Sequence, residues 1–169
     1  VQLYRSPRAL LIGANGILLR HLDPRSYITM IYAVLDLEAR TLTYARAGHC
    51  PMLHWSARAD ASSRIQTLSA SGLVLGLQLD NGEMFAKLLE EGSVPLVPGD
   101  LFVLYTDGIT EATNPAGDWF GEERLAALVA EHGDRPPDEL RARILHEVQS
   151  FVGNAPQHDD MTMVLLKME

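Results

Sequence analysis

An α+β fold is predicted by three observations. A helical segment opens the chain, several strand-like segments fill its middle, and two amphipathic helical segments precede a last apolar strand. This order lacks the strict strand–helix alternation that marks a doubly wound parallel sheet. The length of 169 residues, with 47% hydrophobic and 21% charged residues, suits one ordinary globular domain with a sizeable core. We therefore expect residues 1–169 to form a single domain.

Each element has a local reason. Ser6 can cap the opening helix, and Pro7 suits its first position, where a missing N–H costs nothing. Leu10, Leu11, Ala14, Ile17, Leu18 and His21 recur at helical spacing until Asp23-Pro24 stops the run. Gly13 and Gly16 each cost about 1 kcal/mol there relative to Ala, which close packing against a neighbour would excuse. Ile28 to Leu35 is β-branched and apolar, and Thr41 to Ala47 alternates, so the two form a hairpin across Asp36 to Arg40. Met52 to Trp55, Arg64 to Leu68 and Met84 to Glu90 are further strand candidates between turn-rich connections. Pro98-Gly99-Asp100 signals a turn before the apolar strand Leu101 to Tyr105. Glu122 to His132 is amphipathic, with Gly133 placed as a C-terminal cap. Pro137 to Val152 puts Leu140, Ile144, Leu145, Val148 and Phe151 on one face. Met161 to Lys167 closes the chain as a core strand.

Charge and cysteine content exclude several function classes. There are 14 basic against 22 acidic residues, a net charge of -8. A protein that grips nucleic acid or an anionic membrane by counterion release carries a basic excess or patch, and the arginines here are scattered. The single cysteine, Cys50, rules out an internal disulfide framework and a zinc site of several thiolates; it reads as a small buried hydrophobe. No apolar run approaches the ~20 residues of a membrane span, and the first residues lack signal-peptide features. A soluble, cytoplasmic protein is expected. Because the chain begins with Val1, it is also read as a piece of a longer protein.

Two acidic clusters lie at the edges of core strands. One is Tyr105-Thr106-Asp107-Gly108-Ile109-Thr110-Glu111, where a buried strand delivers Asp107 into a turn. The other is His158-Asp159-Asp160, just before the last strand. Carboxylates from strand ends can converge at one sheet edge and offer hard oxygen ligands to Mg²⁺ or Mn²⁺. On spacing alone, a plain Asp-Gly turn and a solvated strand start account for the same residues. An Asp-Gly-X-Thr after a strand is also similar to haloacid-dehalogenase phosphatases. Their nucleophilic aspartate sits two residues earlier, where this chain has Tyr105, so that reading fails.

Several motifs in order weigh more than either cluster. They are Tyr32 to Asp36 (YAVLD), Thr41 to Pro51 (TLTYARAGHCP), Gly72 to Leu77 (GLVLGL), Pro98 to Ala112 (PGDLFVLYTDGITEA), Asn114 to Leu125 (NPAGDWFGEERL) and Gln157 to Leu165 (QHDDMTMVL). Through them the chain resembles the metal-dependent protein phosphatase (PPM) family, in its bacterial SpoIIE/RsbU-type branch. The resemblance implies an antiparallel β-sandwich flanked by helices. It implies Mn²⁺ or Mg²⁺ as cofactor, two ions in the complete domain, activating a water that attacks a phosphoserine or phosphothreonine. Carried over by position, Asp107 and Asp159 match metal-ligating, catalytic aspartates, and Asp160 reads as a supporting residue or strand cap. His49 suits a general acid, but a hydrogen-bonded structural role is the stronger reading without an identifiable carboxylate partner. Gly48, Gly76 and Gly108 read as backbone-conformation positions. Glu111 and Asn114 are placed to shape the loop after Asp107, with a helix start as the plainer alternative. His158 reads as a solvent-side neighbour.

The same resemblance exposes a gap. The family's early Gly-Asp-rich strand motif, its second Asp-Gly motif and its first long helix have no counterpart here. Residues 6–22 match the family's second helix. We expect an N-terminally incomplete phosphatase domain with weakened metal affinity. For this branch the implied substrate is a phosphorylated anti-sigma-factor antagonist, and such domains follow sensory or receiver modules. The competing expectation is a non-catalytic module that binds the same regulatory partner.

Overall fold

The computed structural model describes residues 6–60 and 63–169. In chain order these residues form α1 (Pro7–His21), β1 (Met30–Asp36), β2 (Thr41–Ala47), β3 (Met52–Trp55), β4 (Ile65–Leu68), α2 (Glu83–Leu88), β5 (Glu91–Pro95), β6 (Leu101–Tyr105), α3 (Asp107–Thr110), α4 (Glu122–His132), α5 (Pro137–Val152) and β7 (Met163–Lys167). The fold is α+β with antiparallel sheets, as the element order predicts. The chain divides into two compact units, one of residues up to Pro51 with Ser69–Leu96, the other of Met52–Leu68 with Val97–Glu169.

The first unit holds the sheet β1-β2-β5. The hairpin β1–β2 pairs Met30 with Ala47 through Asp36 with Thr41. Its turn is fixed by Asp36, whose Oδ1 accepts the N–H groups of Glu38 and Ala39 at 3.0 and 2.8 Å. Helix α1 starts as expected, with the Ala9 N–H donating to Ser6 Oγ at 3.1 Å. Its buried Leu11 joins Ala45, Ala47, Leu75, Phe85 and Leu89 in one apolar cluster. The buried Asn15 is satisfied because its Oδ1 accepts the Gly76 N–H at 2.8 Å. Close packing does not excuse Gly16, since a Cβ there would meet no atom within 4 Å. Cys50 is half-buried rather than fully buried.

One predicted element is wrong in type. Met84 to Glu90 is not a strand but mostly the short helix α2, and the strand β5 follows it. Asp80 builds that helix start by accepting the Gly82 and Met84 N–H groups at 2.7 and 2.9 Å. Phe85 and Leu89, four residues apart, then bury on one side. Arg8 satisfies the other end, donating to the carbonyls of Ala86 and Leu89.

The second unit holds the sheet β4-β3-β6-β7. Its central strand β6 is largely apolar, and Leu101, Phe102 and Val103 are fully buried. Strand β7 pairs along the whole of β6, Leu101 opposite Lys167 through Tyr105 opposite Met163. Helix α4 packs on β3 and β4, and α5 packs on β7 and on α4, through Leu125 and Val129 of α4 and Leu140, Ile144 and Val148 of α5. Gly133 occupies the C-cap position of α4 as expected, in right-handed helical geometry. It is also a close-approach position, because a Cβ would lie 2.4 Å from the Trp55 indole.

Candidate active site at the end of strand β6

The site grows from the place where β6 stops and β7 begins. Beyond Tyr105 the chain makes a single helical turn, α3, whose first residue is Asp107. Thr106 occupies the cap position, yet its hydroxyl does not cap the turn. It accepts the Thr162 N–H at 3.0 Å and donates to the Asp160 carbonyl at 3.2 Å. The Thr106 N–H adds a third bond, to the Thr162 carbonyl at 3.1 Å. Three hydrogen bonds therefore clasp Thr106, at the start of the Asp107 turn, to Asp160 and Thr162, which directly follow Asp159.

Gly108 makes that clasp sterically possible. A Cβ at this position would lie 2.3 Å from the Asp160 carbonyl oxygen, well inside van der Waals contact. The reason for glycine is close approach rather than a left-handed backbone, whereas Gly48 and Gly76 do adopt positive φ. Asp107 and Asp159 thus come from sequence positions far apart onto adjoining backbone.

Both carboxylates are exposed. Each uses one oxygen locally: Asp107 Oδ1 accepts the Gly108 N–H at 3.1 Å, and Asp159 Oδ1 accepts the Asp160 N–H at 2.7 Å. Neither takes part in an ion pair among the described residues. Gln157 supports the segment by donating to the Asp159 carbonyl at 2.7 Å. Hard carboxylate oxygens of this kind suit Mg²⁺ or Mn²⁺ chemically. Among the described residues, however, no group of three or more His, Cys, Asp or Glu side chains is placed to hold a metal ion.

A cleft of about 270 Å³ opens beside Asp159 and Gly108. Ala112, Val152, Pro156 and Met161 give it apolar walls, and Glu111, Trp119 and His158 also line it. The loop that carries Trp119 is rigidly built. Asn114 Oδ1 accepts the Ala116 and Asp118 N–H groups, each at 2.9 Å, and the Phe120 N–H returns to the Ala112 carbonyl at 2.8 Å. Asn114 therefore shapes this loop. Glu111 contributes through its carbonyl, which accepts the Thr113 hydroxyl at 3.0 Å.

Sequence reading singled out Asp107, Asp159 and Gly108 but missed Thr106 and Trp119. A threonine directly before an Asp-Gly turn was the available signal for the first. Nothing in spacing marks an exposed tryptophan as part of a cleft. His49 lies in the other unit, its Nδ1 3.2 Å from Thr29 Oγ1.

This architecture recurs in known phosphatase domains. The SiaA PP2C domain of Pseudomonas aeruginosa superimposes with a TM-score of 0.81 at 22% identity, over 98% of this chain and 62% of that one. The phosphatase domain of SpoIIE from Bacillus subtilis, presoaked with Mn, superimposes at 0.67 with 20% identity, over 99% of this chain and 68% of that one. The fold is that of PP2C-type phosphatase domains. The family model described as Stage II sporulation protein E (SpoIIE) matches residues 1–169, and the chain belongs to that family. Phosphoserine phosphatase RsbU of Bacillus subtilis (strain 168) is 31% identical over 165 residues, which are 95% of this chain and 45% of that protein. The chain thus spans about half the length of this relative.

Proposed function

We propose that the chain is the site-bearing part of a single SpoIIE/RsbU-type protein serine/threonine phosphatase domain. The observation that carries this reading is the clasp at Gly108, which joins the Asp107 turn to the Asp159-Asp160 segment in a chain similar to a phosphoserine phosphatase. Asp107 and Asp159 would hold Mn²⁺ or Mg²⁺, with their unengaged oxygens as ligands. The chemistry that two such bound ions supply is acidification of a water and neutralisation of charge on the phosphoryl group. The chain's own part is to fix both carboxylates on a short, hydrogen-bonded backbone and keep them clear of competing cations. With those ions held there, water would attack phosphorus in line as the bond between serine oxygen and phosphorus breaks, a proton from the water passing to the serine oxygen and no side chain becoming phosphorylated.

The substrate class is a phosphorylated regulatory protein, and the branch of the family points to an anti-sigma-factor antagonist. An upstream sensory or receiver module would control it, as RsbU is roughly twice as long as its matched region. A cytoplasmic site of action follows from such a substrate, and among the described residues no helix is long and apolar enough to cross a membrane. A non-catalytic binding module is the second reading, favoured by the absence of a three-ligand cluster among the described residues.

A Mn²⁺ titration followed by electron paramagnetic resonance separates the two readings. The phosphatase reading expects saturable binding that is lost in Asp107→Asn, together with Mn²⁺-dependent phosphate release from a phosphoserine protein. Equal binding by both forms would overturn the site assignment. No binding by the unmodified chain would favour the non-catalytic reading for these residues.

A further inference from the structure

The cleft beside Asp159 has a composition that fits one kind of side chain. Its walls at Val152, Pro156 and Met161 are apolar, while the acidic residue Glu111 also lines it. Trp119 lines it too, with 62% of its surface exposed, on a loop fixed by Asn114. The carboxylate of Glu111 has no hydrogen bond or ion pair among the described residues. No arginine or lysine lines the cleft, and His158 is its one basic-type residue. An aliphatic stem would lie against the apolar walls, and a cationic head would meet an indole face and an acidic rim.

We propose that this cleft takes a basic side chain, arginine above all, from the phosphoprotein substrate next to its phosphoserine. The proposal rests on the phosphatase reading for the identity of the partner, but the cleft's preference for a cation stands apart from catalysis. A planar guanidinium stacks on an aromatic face and pairs with a carboxylate at the same time, which favours arginine over lysine. Glu111 and Trp119 are then specificity-determining residues, while Asp107, which does not line the cleft, serves the phosphoryl group. An acidic neighbour to the phosphoserine would be rejected by like charge.

The test uses the full 169-residue chain and fluorescein-labelled phosphoserine peptides. Two peptides differ only in one residue two positions after the phosphoserine, arginine against glutamate, and a second pair has the change two positions before it. Binding is read by anisotropy in EDTA, so that turnover and metal affinity do not enter. The expected result is about tenfold tighter binding of the arginine peptide in at least one pair. The preference should fall to about twofold or less in both Glu111→Gln and Trp119→Ala, and persist in Asp107→Asn. An exposed residue at each of the first two positions makes misfolding an unsuitable explanation for the loss. Trp119 adds a direct signal, because Trp55 is only 5% exposed and fluorescence changes on peptide binding report the cleft. No arginine preference in either pair, or a preference that survives both Glu111→Gln and Trp119→Ala, would overturn the proposal. Mn²⁺-dependent hydrolysis of p-nitrophenyl phosphate is measured in parallel on a longer protein that contains this domain. Its failure with the arginine preference intact would sink the phosphatase reading alone, and the reverse pattern would sink the cleft alone.

Discussion

Strand β6 begins with one aspartate and ends with another, and the two meet opposite fates. Asp100, just before the strand, is 1% exposed and has a protein partner for each carboxylate oxygen. Oδ2 lies 3.0 Å from His54 Nε2, and Oδ1 accepts the Ala57 N–H at 2.9 Å. The His54 ring stacks on Phe102 at 4.6 Å between centroids, which locks its orientation. Asp107, just after the strand, is exposed and gives one oxygen to the neighbouring Gly108 N–H. A carboxylate whose oxygens are both matched by fixed protein donors holds the fold together. One kept at the surface with an oxygen to spare is available for chemistry. The difference lies in what surrounds each residue, since both are aspartates beside a glycine at a strand end.

Breaking the buried end should give the largest effect on stability. Asp100→Ala leaves the buried His54 and the part-buried Ala57 N–H without their partner, a loss of roughly 2–4 kcal/mol. Urea denaturation would read it as a fall in midpoint. A change below about 1 kcal/mol would mean that Asp100 is not the structural member of the two. Breaking the open end should act on function instead. Asp107→Asn keeps the shape of the turn and should move stability by no more than about 0.5 kcal/mol, as at other surface positions. Phosphate release by a protein that contains this domain should drop at least about 100-fold, more than removal of a supporting partner of a metal ligand costs. Full activity in that variant would end the case for Asp107.

The same comparison explains what was legible in the sequence. Both aspartates sit in a recognisable stretch, Pro98 to Ala112, and Asp107 and Asp159 stand out as candidates because their motifs match a family in order. The capped start of α1, the hairpin β1–β2 and both long helices followed from local chemistry that the structure keeps. The burial of Asp100 did not follow, because its partner His54 lies on another strand and no local pattern links them. Helix α2 was hidden for a related reason. Met84 to Leu89 is short and apolar, so helix and strand periodicities fit equally well, and the deciding group was the Asp80 carboxylate outside the segment. Strand β5 carries Gly92 and Pro95, poor strand formers, and pairs because β2 offers it an edge. Trp119 was unremarkable as a letter in a loop; its exposure at a cleft is a tertiary fact.

The smallest and sharpest test concerns neither carboxylate but the glycine between their backbones. Gly108→Ala places a methyl group where the Asp160 carbonyl oxygen stands 2.3 Å away, and backbone cannot swing aside as a flexible side chain can. The clasp at Thr106 would have to lengthen, moving the Asp159-Asp160 segment away from the Asp107 turn. Within α3 alanine is a better helix former than glycine, which offsets about 1 kcal/mol of the clash. A net loss of about 1–2 kcal/mol is expected from overpacking of this kind. Function should suffer out of proportion: displacement of one ligand by about 1 Å is enough to cost up to ~100-fold where catalysis depends on geometry. Mn²⁺ affinity and thermal stability measured on the same variant give the answer. Weakened Mn²⁺ binding with a modest stability loss would show that close backbone approach builds the site. Unchanged binding would mean that Asp107 and Asp159 act without the alignment the clasp imposes, and that glycine here serves the fold alone.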